Sequence, residues 1–128
     1  MAALLDTHTF LWFVSGDKQL PENIKAKILD INEPCYISIA SFWEITIKIQ
    51  IGKLHLEISI EDLFKYAERN QIEIVQITSD HLVELSRLPQ YHNDPFDRLI
   101  VSQALAENMI LYSRDKGLKK YKIKQMWG

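Results

Sequence analysis

Short, wholly apolar runs alternate along this chain with longer stretches in which apolar residues return at helical spacing. Ala2 to Leu5 is apolar throughout and stops at Asp6, which predicts a strand buried on both faces. Phe10 to Val14 predicts a short helix, broken by Gly16 and Asp17. Leu20-Pro21-Glu22 opens a second helix to about Ile31, with Ile24, Ile28 and Leu29 on one face. Glu33-Pro34 ends it, and Cys35 to Ile39 is a second strand. Ser41 then caps a third helix, Phe42 to Ile51, terminated by Gly52, and Ser41 with Glu44 fits a capping box.

After an extended link, Leu54 to Ile58, Ser59 opens a fourth helix that runs to Asn70. Ile72 to Ile77 is the third strand, and Thr78 or Ser79 caps a fifth helix ending near Leu88-Pro89. The stretch from His92 to Leu105 carries the sharpest signal. Asp94 stands at the N-cap, Pro95 at the first helical position and Asp97 three residues after the cap. Phe96, Leu99, Ile100, Ala104 and Leu105 give this helix an apolar surface too broad for a lightly packed one. Met109 to Tyr112 is the fourth strand, residues 115–120 a turn of helix, and Ile123 to Trp127 an edge strand. Strands alternating with helices predict an α/β fold: a three-layer α/β/α arrangement around a mostly parallel sheet of four to five strands. At 128 residues, one domain over 1–128 is expected.

Composition adds limits. The apolar fraction is 47%, enough for a core, with a formal charge of −2 and a pI near 6.1. That charge does not advertise a nucleic-acid binder, yet it allows one with clustered cations. Arg114 to Lys124 is such a cluster, with six basic residues against one acid and Tyr121 among them. Arg114, Lys116, Lys119 and Lys120, joined by Arg98, would form a backbone-binding rim. The lone Cys35 cannot make an internal disulfide, which fits a reducing compartment, and its apolar strand marks it as core. Neither a signal peptide nor a membrane span is expected.

The candidate chemistry is carboxylate chemistry. Asp6 follows the first strand and Asp115 the fourth, while Glu44 and Asp97 fall in the first turns of helices. In a parallel sheet of this kind all four come to one edge, with Asp94 beside them, where such folds bind ligands. Each has an ordinary structural use, as a cap, a capping-box partner or a dipole partner. Together they repel: two such charges about 4 Å apart cost roughly 4 kcal/mol at an effective dielectric near 20. Protons or cations must therefore sit among them, and oxygen donors select Mg²⁺ or Mn²⁺ over zinc. The four histidines show no zinc spacing and read as loop or surface residues, His92 being the foremost exception. There is no phosphate-binding loop and no nucleophilic-serine motif. A carboxylate-held divalent ion without these suits phosphodiester hydrolysis.

Four blocks, LLDTHTFLW, SFWEITIKIQIGKLHL, LPQYHNDPFDRLIVSQAL and LYSRDKGLKKY, resemble the PIN domain, and within it the VapC-type toxin nucleases of bacterial toxin–antitoxin pairs. The resemblance spans nearly the whole chain and implies metal-dependent cleavage of single-stranded RNA, homodimers, a cytoplasmic location and inhibition by a cognate antitoxin. It implies an acid quartet of Asp6, Glu44, Asp97 and Asp115 holding one or two Mg²⁺ or Mn²⁺ ions. Asp6 and Asp97 would be the principal ligands, Glu44 a ligand or water-orienting group, and Asp115 a ligand of the second ion. Thr7 and Ser113 fit the small polar positions beside these acids. Asn93 and Tyr112-Ser113 depart from the commoner pattern and bear on substrate preference. PIN-like folds also serve as RNA- or protein-binding modules after losing acids, and that is the competing reading, although no quartet position is lost here.

Overall fold

A computed structural model describes residues 1–128. Its centre is a five-stranded sheet in the order β3-β2-β1-β4-β5, with every neighbouring pair parallel. The strands are β1 (Ala3–Leu5), β2 (Cys35–Ser38), β3 (Ile72–Val75), β4 (Ile110–Tyr112) and β5 (Gln125–Met126). They are short, and only two to four residues of each run that looks extended in sequence are paired.

The helices are α1 (Thr7–Ser15), α2 (Glu22–Leu29), α3 (Ile39–Gln50), α4 (Ile60–Arg69), α5 (Ser79–Ser86) and α6 (Pro95–Ala106), with a 3₁₀ turn over Lys116–Tyr121. Side chains alternate across a strand, so β1 serves two cores at once. Ala3 and Leu5 face a cluster of 15 buried residues that includes Phe10, Ile24, Phe42, Ile45 and Leu63. Leu4 faces the other way, into a cluster of 8 with Ile100, Val101, Ala104 and Leu111. These are the two covered faces of the three-layer α/β/α fold.

Three local expectations change. The first helix begins at Thr7, not Phe10, because Asp6 caps it by accepting the Thr9 N–H at 2.9 Å. The third helix begins at Ile39, not Phe42. Ser38 accepts the Ala40 N–H at 3.0 Å and is the cap, so Ser41 and Glu44 lie inside the helix and form no capping box. Leu29, expected on the buried face of α2, is 54% exposed because it lies roughly 100° round the helix from the buried Ile28. Phe10 and Phe13 are core residues, and Cys35 is buried with its thiol pushed up to about 11 by burial and by Glu33.

The central position of β1 gives a direct test. Leu4 is fully buried between β2, β4 and the α6 layer. Leu4→Ala is expected to lower unfolding free energy by roughly 2–5 kcal/mol in urea titrations, as for other large-to-small core changes. A loss under about 1 kcal/mol would contradict this packing.

Candidate functional site

The sheet's strand order turns back on itself at β1, with β2 on one side and β4 on the other. The loops leaving the carboxyl ends of β1 and β4 diverge there, and in parallel sheets this crevice is where ligands bind. Asp6 leaves β1 and Asp115 follows β4. Glu44 comes from the second turn of α3 and Asp97 from the first turn of α6. Trp43 meets Phe96 edge-on at 5.2 Å, which holds α3 against α6 and brings Glu44 towards Asp97.

Each carboxylate is fixed differently. Asp6 Oδ1 accepts the Thr9 N–H, and the Thr9 hydroxyl oxygen lies 2.6 Å from it. That hydroxyl is also 2.9 Å from the Tyr112 carbonyl, tying β1's exit to β4. Glu44 is 4% exposed and both its oxygens are engaged. Thr7 donates to Oε1 at 2.7 Å, and Lys48 donates to Oε2 at 2.8 Å. A hydroxyl has one proton and a carboxylate only accepts, so the Thr7–Ser41 contact at 2.9 Å is filled by the serine's proton. Thr7 is thus a buried relay that fixes Glu44. Ser41, read as a cap from sequence, supports that relay.

Asp115 Oδ1 accepts the Gly117 N–H at 2.9 Å, and Oδ2 lies 3.2 Å from His92 Nε2. Because the carboxylate only accepts, the imidazole proton is on Nε2, and its buried Nδ1 has no partner. Gly117 makes room for this pair: a Cβ there would sit 3.2 Å from both Asp115 Oδ1 and His92 Cε1. His92's own N–H donates to the Tyr121 hydroxyl at 2.6 Å. Ser113, fully buried, accepts the Asp115 N–H at 3.1 Å and shapes the turn. Asp94 is the α6 cap, accepting the N–H groups of Phe96 and Asp97 at 2.8 and 3.2 Å.

Asp97 shows the strain of this gathering. Its pKa is pushed up to about 7, first by burial and then by the charges of Asp94, Glu44 and Asp6, with His92 pulling the other way. Lys48 is shifted the same way, which for a lysine favours the charged form. Its ammonium is held above the usual lysine value by the Glu44 hydrogen bond, and the charges of Glu44, Asp94 and Asp97 add to that. One ligand-capable atom from each of His92, Asp97 and Asp115 lies within 4.8 Å of the others. The acid crevice therefore includes the imidazole of His92, the foremost exception among the four histidines. No local signal reveals it, because the contact joins residues 23 apart and depends on the space at Gly117.

The basic residues divide. Arg98 turns inward, with Nη1 donating to the Pro89 carbonyl at 2.8 Å, so it braces the α5–α6 loop. Lys116, Lys119 and Lys120 are exposed. Arg114 stands beside the acids, donating to Gln19 at 2.9 Å with its guanidinium 4.8 Å from the Trp12 ring centre. Tyr121 belongs to the core and not to the rim: it is 4% exposed.

The sequence matches the family model of the PIN domain over residues 3–124. The chain belongs to the PIN domain family. Its fold is similar to a chain of VapBC2 from Rickettsia felis, solved bound to a DNA fragment from their promoter, at 17% identity and a TM-score of 0.74, covering 100% of both chains. It is also similar to VapBC-1 from nontypeable Haemophilus influenzae, at 16% identity and a TM-score of 0.71, over 98% of this chain and 97% of that one. A toxin–antitoxin complex from Klebsiella pneumoniae matches at 19% identity and a TM-score of 0.57, over 88% and 86%. No curated protein matches the sequence. At these identities the likeness is one of fold. No helix of this PIN domain is long and apolar enough to cross a membrane.

The raised pKa of Asp97 sets a sign for pH dependence. The unfolded side chain releases its proton near 3.8 and the folded one near 7, so the folded state binds more protons between those values. That stabilisation is complete below pH 4 and is lost as pH rises through about 7. Discounted for solvent screening, it is on the order of 1–2 kcal/mol. In EDTA, the parent chain is expected to lose thermal stability from pH 5 to 8 more steeply than Asp97→Asn, which becomes the more stable of the two at pH 8. Parallel melting profiles would contradict the assigned burial and repulsion.

Proposed function

We propose that this PIN domain, residues 1–128, is a divalent-metal-dependent endoribonuclease that cuts single-stranded RNA. In this reading it is the VapC-type toxin half of a toxin–antitoxin pair, working as a cytoplasmic homodimer and held silent by its antitoxin. The observation that carries the reading is the convergence of Asp6, Glu44, Asp97 and Asp115 on one sheet edge, where Asp97 keeps a proton to about pH 7. A cation would relieve that crowding. The fold likeness to VapBC chains and to a toxin–antitoxin complex supports the biological role.

The donor set fits Mg²⁺ or Mn²⁺. Asp6, Asp97 and Asp115 would hold the ion. Asp6 is braced by Thr9, and Asp115 by Gly117 and His92. Hydrogen-bonded partners of this kind orient metal ligands. When bound, the ion supplies Lewis acidity, offsetting charge on phosphoryl oxygens and making a bound water more acidic. Glu44, pinned by Thr7 and Lys48, is suited to orient a water and accept its proton. Arg114 and the exposed Lys116, Lys119 and Lys120 supply cations for the RNA backbone.

The test uses labelled single-stranded and structured RNAs with Mn²⁺, Mg²⁺ or EDTA. Cleavage is expected in either metal, none in EDTA, and a loss on the order of 100-fold or more in Asp97→Asn and Asp6→Asn. RNA retained in EDTA, with no metal-dependent products from folded protein, would point to a binding module instead.

A further inference from the structure

The side chains around the acid crevice include three that metal-dependent hydrolysis does not call for. A cleft of about 300 Å³ is lined by Asp6, His8, Trp12, Arg114 and Asp115. Two of the walls are carboxylates of the quartet, two are aromatic rings, and one is a guanidinium. The His8 ring is exposed and its centre lies 5.6 Å from that of Trp12, at an interplanar angle of 33°. Trp127 lies behind Trp12 at 6.0 Å, and Arg114 covers the Trp12 ring at 4.8 Å. Core packing accounts for the Trp12–Trp127 contact. It does not account for an exposed imidazole and an exposed guanidinium set on the same indole, at the mouth of an acid site.

Proteins that hold single strands combine aromatic faces, on which bases stack, with cations that track the backbone. Arginine on an indole adds to such a platform. The cleft volume is at the small end for ligand sites, enough for one nucleoside and too little for a duplex. A phosphate held at Asp6 and Asp115 would bring its own nucleoside into this space, because those two acids are part of the cleft wall.

We propose that the cleft between Asp6 and Asp115 is a nucleobase subsite: the base next to the scissile phosphate lies against His8 and Trp12, while Arg114 faces the flanking phosphate. The proposal rests on reading the acid site as a single-strand ribonuclease. It gives the enzyme a reason to act on unpaired RNA, since a base in a helix cannot enter. Because stacking uses a π-face, the subsite is tolerant of base identity.

The experiment is fluorescence anisotropy with a labelled single-stranded RNA oligonucleotide. The full chain carries Asp97→Asn, so that binding is read without cleavage. His8→Ala and Trp12→Leu are each expected to raise Kd about ten-fold, with Trp12→Phe keeping most of the affinity. An oligonucleotide with one abasic position, scanned along its length, should lose the same factor at one position only. At that position Trp12→Leu should add nothing further. His8 is exposed, so its substitution keeps the test valid if Trp12→Leu unfolds. Unchanged affinity in folded His8→Ala and Trp12→Leu, or losses that add at every abasic position, would overturn the subsite. Cleavage by the parent chain in Mn²⁺ is scored separately. Cleavage with no effect of His8 or Trp12 on binding defeats the subsite alone, whereas the expected binding pattern without cleavage defeats the nuclease reading and leaves the base-binding cleft standing.

Discussion

Asp97 sits on a half-buried helix end facing three other carboxylates, and repulsion there raises its proton affinity to about pH 7. The rest of the molecule is arranged so that this repulsion cannot relax by moving the acids apart. Parallel strands send all their carboxyl ends to one edge, and the exits of β1 and β4 lie side by side by register. Asp6 cannot swing away because Thr9 joins it to the Tyr112 carbonyl across that seam. Asp94, the foremost of those charges, is held as the α6 cap by the Phe96 and Asp97 N–H groups. Glu44 is locked by Thr7 and Lys48. Two large apolar clusters, one on each sheet face, supply the stability against which this local cost is set.

The four acids are not equivalent. Asp6, Glu44 and Asp115 each accept hydrogen bonds, so much of the water they lose is replaced by protein donors. Asp97 bears the unrelieved part, with burial the leading cause of its shift. A like-charge cluster in which one member carries most of the perturbation is a common arrangement where a cation or a proton is part of the working state. The aromatic wall at His8 and Trp12 lies on the Asp6–Asp115 side of the cluster, so charge and stacking surface meet at one cleft.

Much of this was legible in the sequence, and what was legible was local. The A-L-L run of β1 had to face two cores, and it does. Asp94-Pro95 marked the start of α6 because cap and proline act within one turn. Ser59 marked α4 for the same reason. The third helix was misplaced because two serines, Ser38 and Ser41, precede the same apolar run, and propensity alone cannot choose between them. The choice is tertiary: Ser41 is buried against Thr7, so Ser38 is left at the strand end to cap. The places of His92, singled out without a role, and of Tyr121, counted with the basic rim, are tertiary in the same way. Their roles depend on a turn 23 to 29 residues away and on the missing side chain of Gly117.

In the proposed working state, a cation takes the place of Asp97's proton. Calorimetric titration of Mn²⁺ into the metal-free chain at pH 7, repeated in two buffers of different ionisation enthalpy, tests it most directly. With a pKa of about 7, Asp97 is half protonated there, and binding should release about half a proton per ion, falling towards zero at pH 8.5. Mn²⁺ binding with no proton release at pH 7, or no binding to the folded chain, would contradict the account.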